Sequence, residues 1–231
     1  MAHGKKYKAV KEKVSAENRY AVEEAITFLK ENPTANFDET FEIALKMGLN
    51  PVKSDQAVRS TVALPNGTGK DVRVIVFATG DAAEAARGAG AVEVGFEDLL
   101  AKVSGGWMDF DAVVATPDAM KEVRKVARIL GPRGLMPNPK TGTVTDDTAG
   151  AVTQLRAGRV EFRMDRNANI MVLFGKRSFT TEALAENFRA VYEAILAAKP
   201  DGAKGVYIKR CTIATTMGPG LHIDVKETAA A

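Results

Sequence analysis

Few residues in this 231-residue chain have a type and spacing that could do chemistry. Gly67, Gly69 and Lys70 suggest a phosphate-cradling loop. That loop also needs a glycine at 64 and a magnesium-binding hydroxyl at 71, where this chain has Leu64 and Asp71. Thr79, Gly80 and Asp81 offer a single glycine where a dinucleotide-binding turn needs several. Cys211 and His222 could face each other across a hairpin as nucleophile and base, but a lone strand cysteine also reads as a small buried hydrophobe. Asp109 and Asp111 are paired carboxylates with no base or metal ligand beside them, and they read as residues that cap and solvate a loop. The segment Thr212–Gly220 offers a different chemistry. It carries the hydroxyls of Thr212, Thr215 and Thr216, bare amides at Gly218 and Gly220, and one soft apolar side chain, Met217, at a turn. Such a surface suits an irregular polar partner such as folded RNA; the competing reading is that Met217 plugs a core gap beneath the turn.

Composition narrows the choice. Hydrophobic residues make up 45% and charged residues 26%, values of an ordinary globular protein, and no apolar run approaches a membrane span. A cytoplasmic protein is expected, with no membrane partner. The basic N-terminal arm, with Lys5, Lys6, Lys8, Lys11 and Lys13, lacks the apolar stretch and cleavage site of a signal peptide. One cysteine excludes an internal disulfide, and with only His3 and His222 beside it neither a metal nor another cofactor is expected. A net charge of +3 does not by itself mark a nucleic-acid binder. Local charge says more: cations gather in the N-terminal arm, at Lys176 and Arg177, and at Lys204, Lys209 and Arg210, whereas residues 81–98 lean acidic.

The elements that must position these residues follow two patterns. The ends of the chain alternate as half-buried antiparallel strands do: 37–45 and 58–64 near the start, 160–164 and 169–174 as a hairpin about residues 165–167, and the two strands flanking Met217. Helices are predicted at 20–30 and 181–198, the latter carrying Leu184, Phe188, Val191, Ile195 and Leu196 on one stripe. The middle instead alternates strand and helix: strands at 72–78 and 110–117, helices at 81–89, 96–103, 118–130 and 147–155. Neither flank can close a core alone. The economical α/β architecture has two domains, a discontinuous α+β domain with a mainly antiparallel sheet from residues 1–66 and 160–231, and an inserted three-layer, Rossmann-like domain with a parallel sheet from 67–159. Two connecting segments, one with Gly67 and Gly69 and one with Gly158, would then form a hinge.

Several longer motifs carry a resemblance over almost the whole chain: Phe37–Thr40, Lys53–Gln56, Gly106–Pro117, Gly131–Gly134, Met136–Lys140, Ala203–Gly205 and Thr215–Pro219. Together they resemble the bacterial ribosomal protein L-one family. The resemblance implies a non-enzymatic two-domain protein that is monomeric outside the ribosome and binds a helical junction of large-subunit rRNA. It further implies a place in the mobile stalk beside the exit site for deacylated tRNA, and repression of translation of its own operon by binding the messenger RNA. The RNA-binding residues it implies are Phe37, Thr40, Lys176, Ser178, Thr216, Met217 and Gly218. Lys176 would contact phosphate; Thr40, Ser178 and Thr216 would bond sugar hydroxyls or base edges. Gly218 would admit the RNA backbone, and Phe37 and Met217 would pack on sugars or bases. Strand alternation puts Phe37 in phase with Phe41, so core packing is its competing role. Asn36 stands where relatives can carry a basic residue, and the chain ends in Glu227-Thr-Ala-Ala-Ala rather than a basic tail. Two other readings make different predictions. A nucleotide-dependent enzyme in the middle block would need Lys70 or Asp81, and a DNA binder would need a recognition helix, which the pattern lacks.

Overall fold

The computed structural model describes residues 4–15 and 18–224, so His3 and the segment after Glu227 lie outside the described residues. It divides into two compact units, one made from the described parts of Met1–Gly69 and Val160–Ala231, the other from Lys70–Arg159. The first unit opens with helices α1 (Lys5–Glu12) and α2 (Val22–Glu31) and strands β1 (Thr40–Met47) and β2 (Arg59–Ala63). The second holds β3 (Val74–Phe77), α3 (Asp81–Gly88), β4 (Glu93–Gly95), α4 (Glu97–Ser104), β5 (Ala112–Ala115), α5 (Met120–Val123), α6 (Ala127–Leu130) and α7 (Thr148–Arg156). The chain then returns through β6 (Arg159–Arg163), β7 (Asn169–Lys176), α8 (Thr181–Ala197), β8 (Ile208–Thr215) and β9 (Leu221–Ile223). The fold is α/β, with an antiparallel sheet drawn from both chain ends and a separate parallel sheet.

In the first unit the sheet order is β7-β1-β8-β9, so the strand from the start of the chain lies between two from its end. Period-two alternation sends Phe41, Ile43, Leu45 and Met47 of β1 inward, where they meet Ile170, Val172 and Phe174 of β7 and Cys211 and Ile213 of β8. Leu184, Phe188, Val191 and Ile195 of α8 and Ile26 and Leu29 of α2 complete this core at helical spacing. Phe174 lies edge-on to both Phe41 and Phe188, with ring centroids 5.8 Å apart in each case. Both helices therefore lie on one face of the sheet. Tyr20 extends the β9 edge, its amide donating to His222 O at 2.9 Å while Tyr20 O accepts from the Asp224 amide.

In the second unit β4-β3-β5 run parallel. Every residue of β3 is buried because both faces of the sheet are covered. Ile75 and Phe77 pack with Leu99, Val103 and Val123 on one side, and Val74 and Val76 pack with Ala86 and Val152 on the other, a three-layer arrangement. Asp147 caps α7, its Oδ1 accepting from the Gly150 amide at 2.9 Å. Among the described residues no helix is long and apolar enough to cross a membrane.

Three expectations need correction. The predicted hairpin of 160–164 with 169–174 does not form: β6 pairs with β2 in a separate two-stranded sheet, while β7 pairs with β1. The turn between them exists, closed by Asp165 Oδ1 accepting from the Asn167 and Asn169 amides and by Ala168 at φ 57°, but it redirects the chain between sheets. The helix expected at 118–130 is broken by a tighter turn at Arg124–Val126. Met120, Val123 and Val126 recur every third residue, and a turn of three residues keeps all three on the core. Phe37 lies outside β1, which begins at Thr40, so it is not in phase with Phe41: Phe41 is fully buried, and Phe37 is 52% exposed.

Candidate nucleic-acid interface

The residues singled out for RNA binding come together at one end of the antiparallel sheet. Thr40 opens β1 opposite Lys176, the last residue of β7, and Lys176 Nζ donates to Thr40 Oγ1 at 3.0 Å. On the other side of β1, the Thr40 amide donates to Thr216 Oγ1 at 2.9 Å. Ser178 lies in the turn after β7, where its amide and its hydroxyl both donate to the Asp38 carboxylate, at 3.0 and 2.9 Å. Its donor is thus used, and its oxygen lone pairs remain for a ribose hydroxyl. Phe37 and Met217 project as apolar side chains, 52% and 57% exposed. Three chain segments, 37–40, 176–178 and 216–218, share this rim.

The buried residue holding them together is one that sequence reasoning missed. Glu39 is completely buried, and its Oε1 accepts from Thr34 Oγ1 at 2.9 Å, from the Met217 amide at 3.1 Å and from Thr215 Oγ1 at 3.5 Å. Its backbone oxygen accepts from the Arg177 amide at 2.9 Å, and its Oε2 lies 3.7 Å from Arg177 Nη1. One carboxylate therefore ties the β1 approach to the segment after β7 and to the turn after β8. A buried charge is tolerated only with such partners. The sequence signal is faint: Glu39 precedes β1, and only if alternation is carried back one step from Phe41 does it stand as an acid where the pattern calls for an apolar residue.

Gly218 needs no RNA to explain it. A Cβ there would lie 2.2 Å from Thr215 Oγ1 and 3.7 Å from Leu29 Cδ2, so the absent side chain lets the turn settle onto the sheet and α2. The basic arm also contributes. Lys5, Lys6, Lys8 and Lys11 lie on α1, and Lys6 Nζ donates to Asn36 Oδ1 at 3.1 Å, which brings a cation to a position whose own side chain is neutral.

The rejected chemistry has structural explanations. Cys211 pairs in register with Ile223 and points into the core, whereas His222 pairs with Thr212 on the other face of the sheet. Burial pushes the Cys211 thiol up to about 12, the reverse of an activated nucleophile. Asp111 is held well below the usual carboxylate range by hydrogen bonds from Arg73 and from Lys70, whose Nζ lies 2.7 Å away. Arg73 also binds Asp109. Lys70 is thus engaged by a carboxylate, and the two aspartates brace the inserted unit.

Comparison with known proteins places the chain among ribosomal proteins. The chain is 55% identical over 224 residues to large ribosomal subunit protein uL1 of Cutibacterium acnes, covering 97% of each chain. It is 55% identical over 222 residues to the protein of that name from Lactobacillus delbrueckii subsp. bulgaricus, covering 96% of each. The same-named protein of Mycobacteroides abscessus is 52% identical over 222 residues, covering 96% of this chain and 94% of that one. With residues 29–219 matching the family profile as well, the chain belongs to the Ribosomal protein L1p/L10e family, a family of ribosomal proteins and not of enzymes.

Proposed function

We propose that this protein is a structural constituent of the large ribosomal subunit, working in the cytoplasm, whose discontinuous domain binds a helical junction of the rRNA. The observation that carries this reading is the rim itself: two exposed apolar side chains, Phe37 and Met217, flank a polar cluster of Thr40, Lys176, Ser178 and Thr216 drawn from segments remote in sequence. Lys176 supplies charge to phosphate, the hydroxyls read sugar and base edges, and the apolar pair covers the sugars or bases of unstacked nucleotides. Membership of a ribosomal protein family supports the same reading.

The resemblance carried by the sequence motifs supports finer roles. The protein forms part of the mobile stalk beside the exit site and takes part in release of deacylated tRNA. It also binds a similar structure in the messenger of its own operon and so represses its translation. If rRNA and messenger share the rim, ribosome assembly competes with repression, and only protein in excess of rRNA silences the messenger.

Affinity for a large-subunit rRNA junction fragment, measured across a salt series, tests the rim. Lys176→Ala lowers the slope of log affinity against log salt by about 0.7–0.9, the value of one phosphate contact. Met217→Ala weakens binding without changing the slope. If both variants bind as wild type does, the rim is not the rRNA surface. A competition assay with the operon messenger checks the repressor role: no displacement by the junction fragment means that the sites are separate.

A further inference from the structure

The sheet of the discontinuous unit has a second face that neither α2 nor α8 covers. Its side chains form cross-strand rows: Leu173, Glu42 and Ala214; then Met171, Ala44, Thr212 and His222; then Asn169, Lys46 and Arg210. The first row lies just beyond Thr40 and Lys176, so this face is continuous with the rim. Its middle is floored by small side chains, Ala44, Ala214 and Thr212, and walled by Met171 and Leu173, which are 63% and 41% exposed. The far end is cationic. Lys46 and Arg210 stand side by side with Lys209 next to them, and neither Lys209 nor Arg210 forms an ion pair among the described residues. An open hollow of about 590 Å³ lies between Met171 and these cations.

We propose that this open face holds a second stretch of the bound RNA, with backbone phosphates at Lys46 and Arg210 and a sugar or base over Ala44, Met171 and Thr212. The proposal rests on the rim being an RNA surface and extends it along β1. From Thr40 to Lys46 is six residues, about 20 Å at roughly 3.3 Å per strand residue, long enough for several nucleotides. Charge selects the partner. Cations stand at both ends of a floor of small side chains that carries one carboxylate, Glu42, with Lys176 at one end and Lys46, Lys209 and Arg210 at the other, an excess of positive charge that favours a polyanion crossing the sheet. That carboxylate accepts from ribose hydroxyls or base amino groups. An adaptable thioether at the wall suits the edge of a sugar or base better than a rigid aromatic would in so shallow a hollow.

Full-length protein and a large-subunit rRNA junction fragment supply the test, with hydroxyl-radical footprinting beside affinity measured across a salt series. Lys46→Gln with Arg210→Gln reduces the salt slope by about 1.4–1.8, two phosphate contacts, and Arg210→Gln alone by about half of that. Met171→Ala weakens binding several-fold at unchanged slope. In each case one protected stretch of RNA is lost while the stretch that depends on Met217 persists. The substituted side chains are exposed, and circular dichroism confirms the fold. Unchanged affinity, slope and footprint in the sheet variants, with Met217→Ala still weakened, overturns this proposal and leaves the rim standing. If Met217→Ala is also silent, the rim reading falls too. Sheet variants that bind RNA normally but fail to enter assembled subunits assign this face to a protein neighbour, and equally overturn the proposal.

Discussion

Replacing Glu39 with alanine tests whether one buried carboxylate fixes the RNA rim. The substitution removes the acceptor of two hydrogen bonds near 3 Å, from Thr34 and the Met217 amide, and a longer one from Thr215. A hydrogen bond to a charged group contributes about 1.5–3 kcal/mol, and stranding the other half of a buried ion pair costs about 3–5 kcal/mol. Both figures are upper values here, because the Arg177 side chain is 26% exposed and water reaches the turn at Met217. A net loss of about 3 kcal/mol follows, which for a chain of this length lowers the melting temperature by about 6–12 °C. RNA affinity at a temperature well below the melt falls about tenfold, since the Met217 turn must then be ordered on binding at roughly 1–2 kcal/mol per residue. Glu39→Gln keeps a neutral acceptor and suffers less on both counts. A double variant, Glu39→Met with Arg177→Met, separates the two effects. It recovers the part of the stability lost by stranding Arg177, because a buried pair can be replaced by apolar volume, but not the hydrogen-bond part or the affinity, because Thr34, Thr215 and the Met217 amide still have no acceptor. Thermal denaturation and fluorescence anisotropy read the two quantities. A Glu39→Ala protein that melts within about 2 °C of wild type refutes the energetics, and one that melts low yet binds RNA normally refutes the positioning.

Phe37→Ala leaves the melting temperature unchanged, because the ring is half exposed, but lowers RNA affinity by about 1–3 kcal/mol if a base stacks on it; equal affinity removes Phe37 from the rim. Gly218→Ala drives a methyl group into Thr215 Oγ1 and destabilises the discontinuous unit by about 1–3 kcal/mol, measured by denaturant titration, even with no RNA present. Asp111 has a depressed folded-state pKa, so its contribution is present above the ordinary aspartate range near pH 4 and is lost as pH falls through the folded value. Asp111→Asn therefore destabilises the inserted unit by about 1–2 kcal/mol at pH 7, with the gap to wild type closing in strong acid. Amide exchange of β3 and β5 reads this, and equal protection at pH 7 contradicts it.

How much of this was legible in the sequence varied with the kind of information involved. Strands that alternate on a half-covered sheet, β1, β7 and β8, carry their own register and were readable, as was the change of pattern at the inserted unit. Pairing was not: β6 and β7 look like a hairpin locally, and only the competition of β2 and β1 for their edges separates them. The three-residue strand β4 is too short to show a period. Phe37 was assigned to a strand because alternation cannot show where a strand begins, and the bonds of Asp38 and Glu39 fix that point through residues more than a hundred positions away. Glu39 itself was passed over because an acid in an apolar phase reads as noise until its partners are known.

The position of β1 between β7 and β8 also has a consequence in time. The inserted unit is contiguous, from Lys70 to Arg159, and can fold as soon as that stretch has left the synthesising ribosome. The antiparallel sheet cannot close until residues beyond 215 have emerged, because the middle strand waits for neighbours from the far end of the chain. A nascent or truncated chain thus presents no assembled RNA rim, and recognition is withheld until synthesis is nearly complete. Finished molecules alone are counted by whatever RNA they bind.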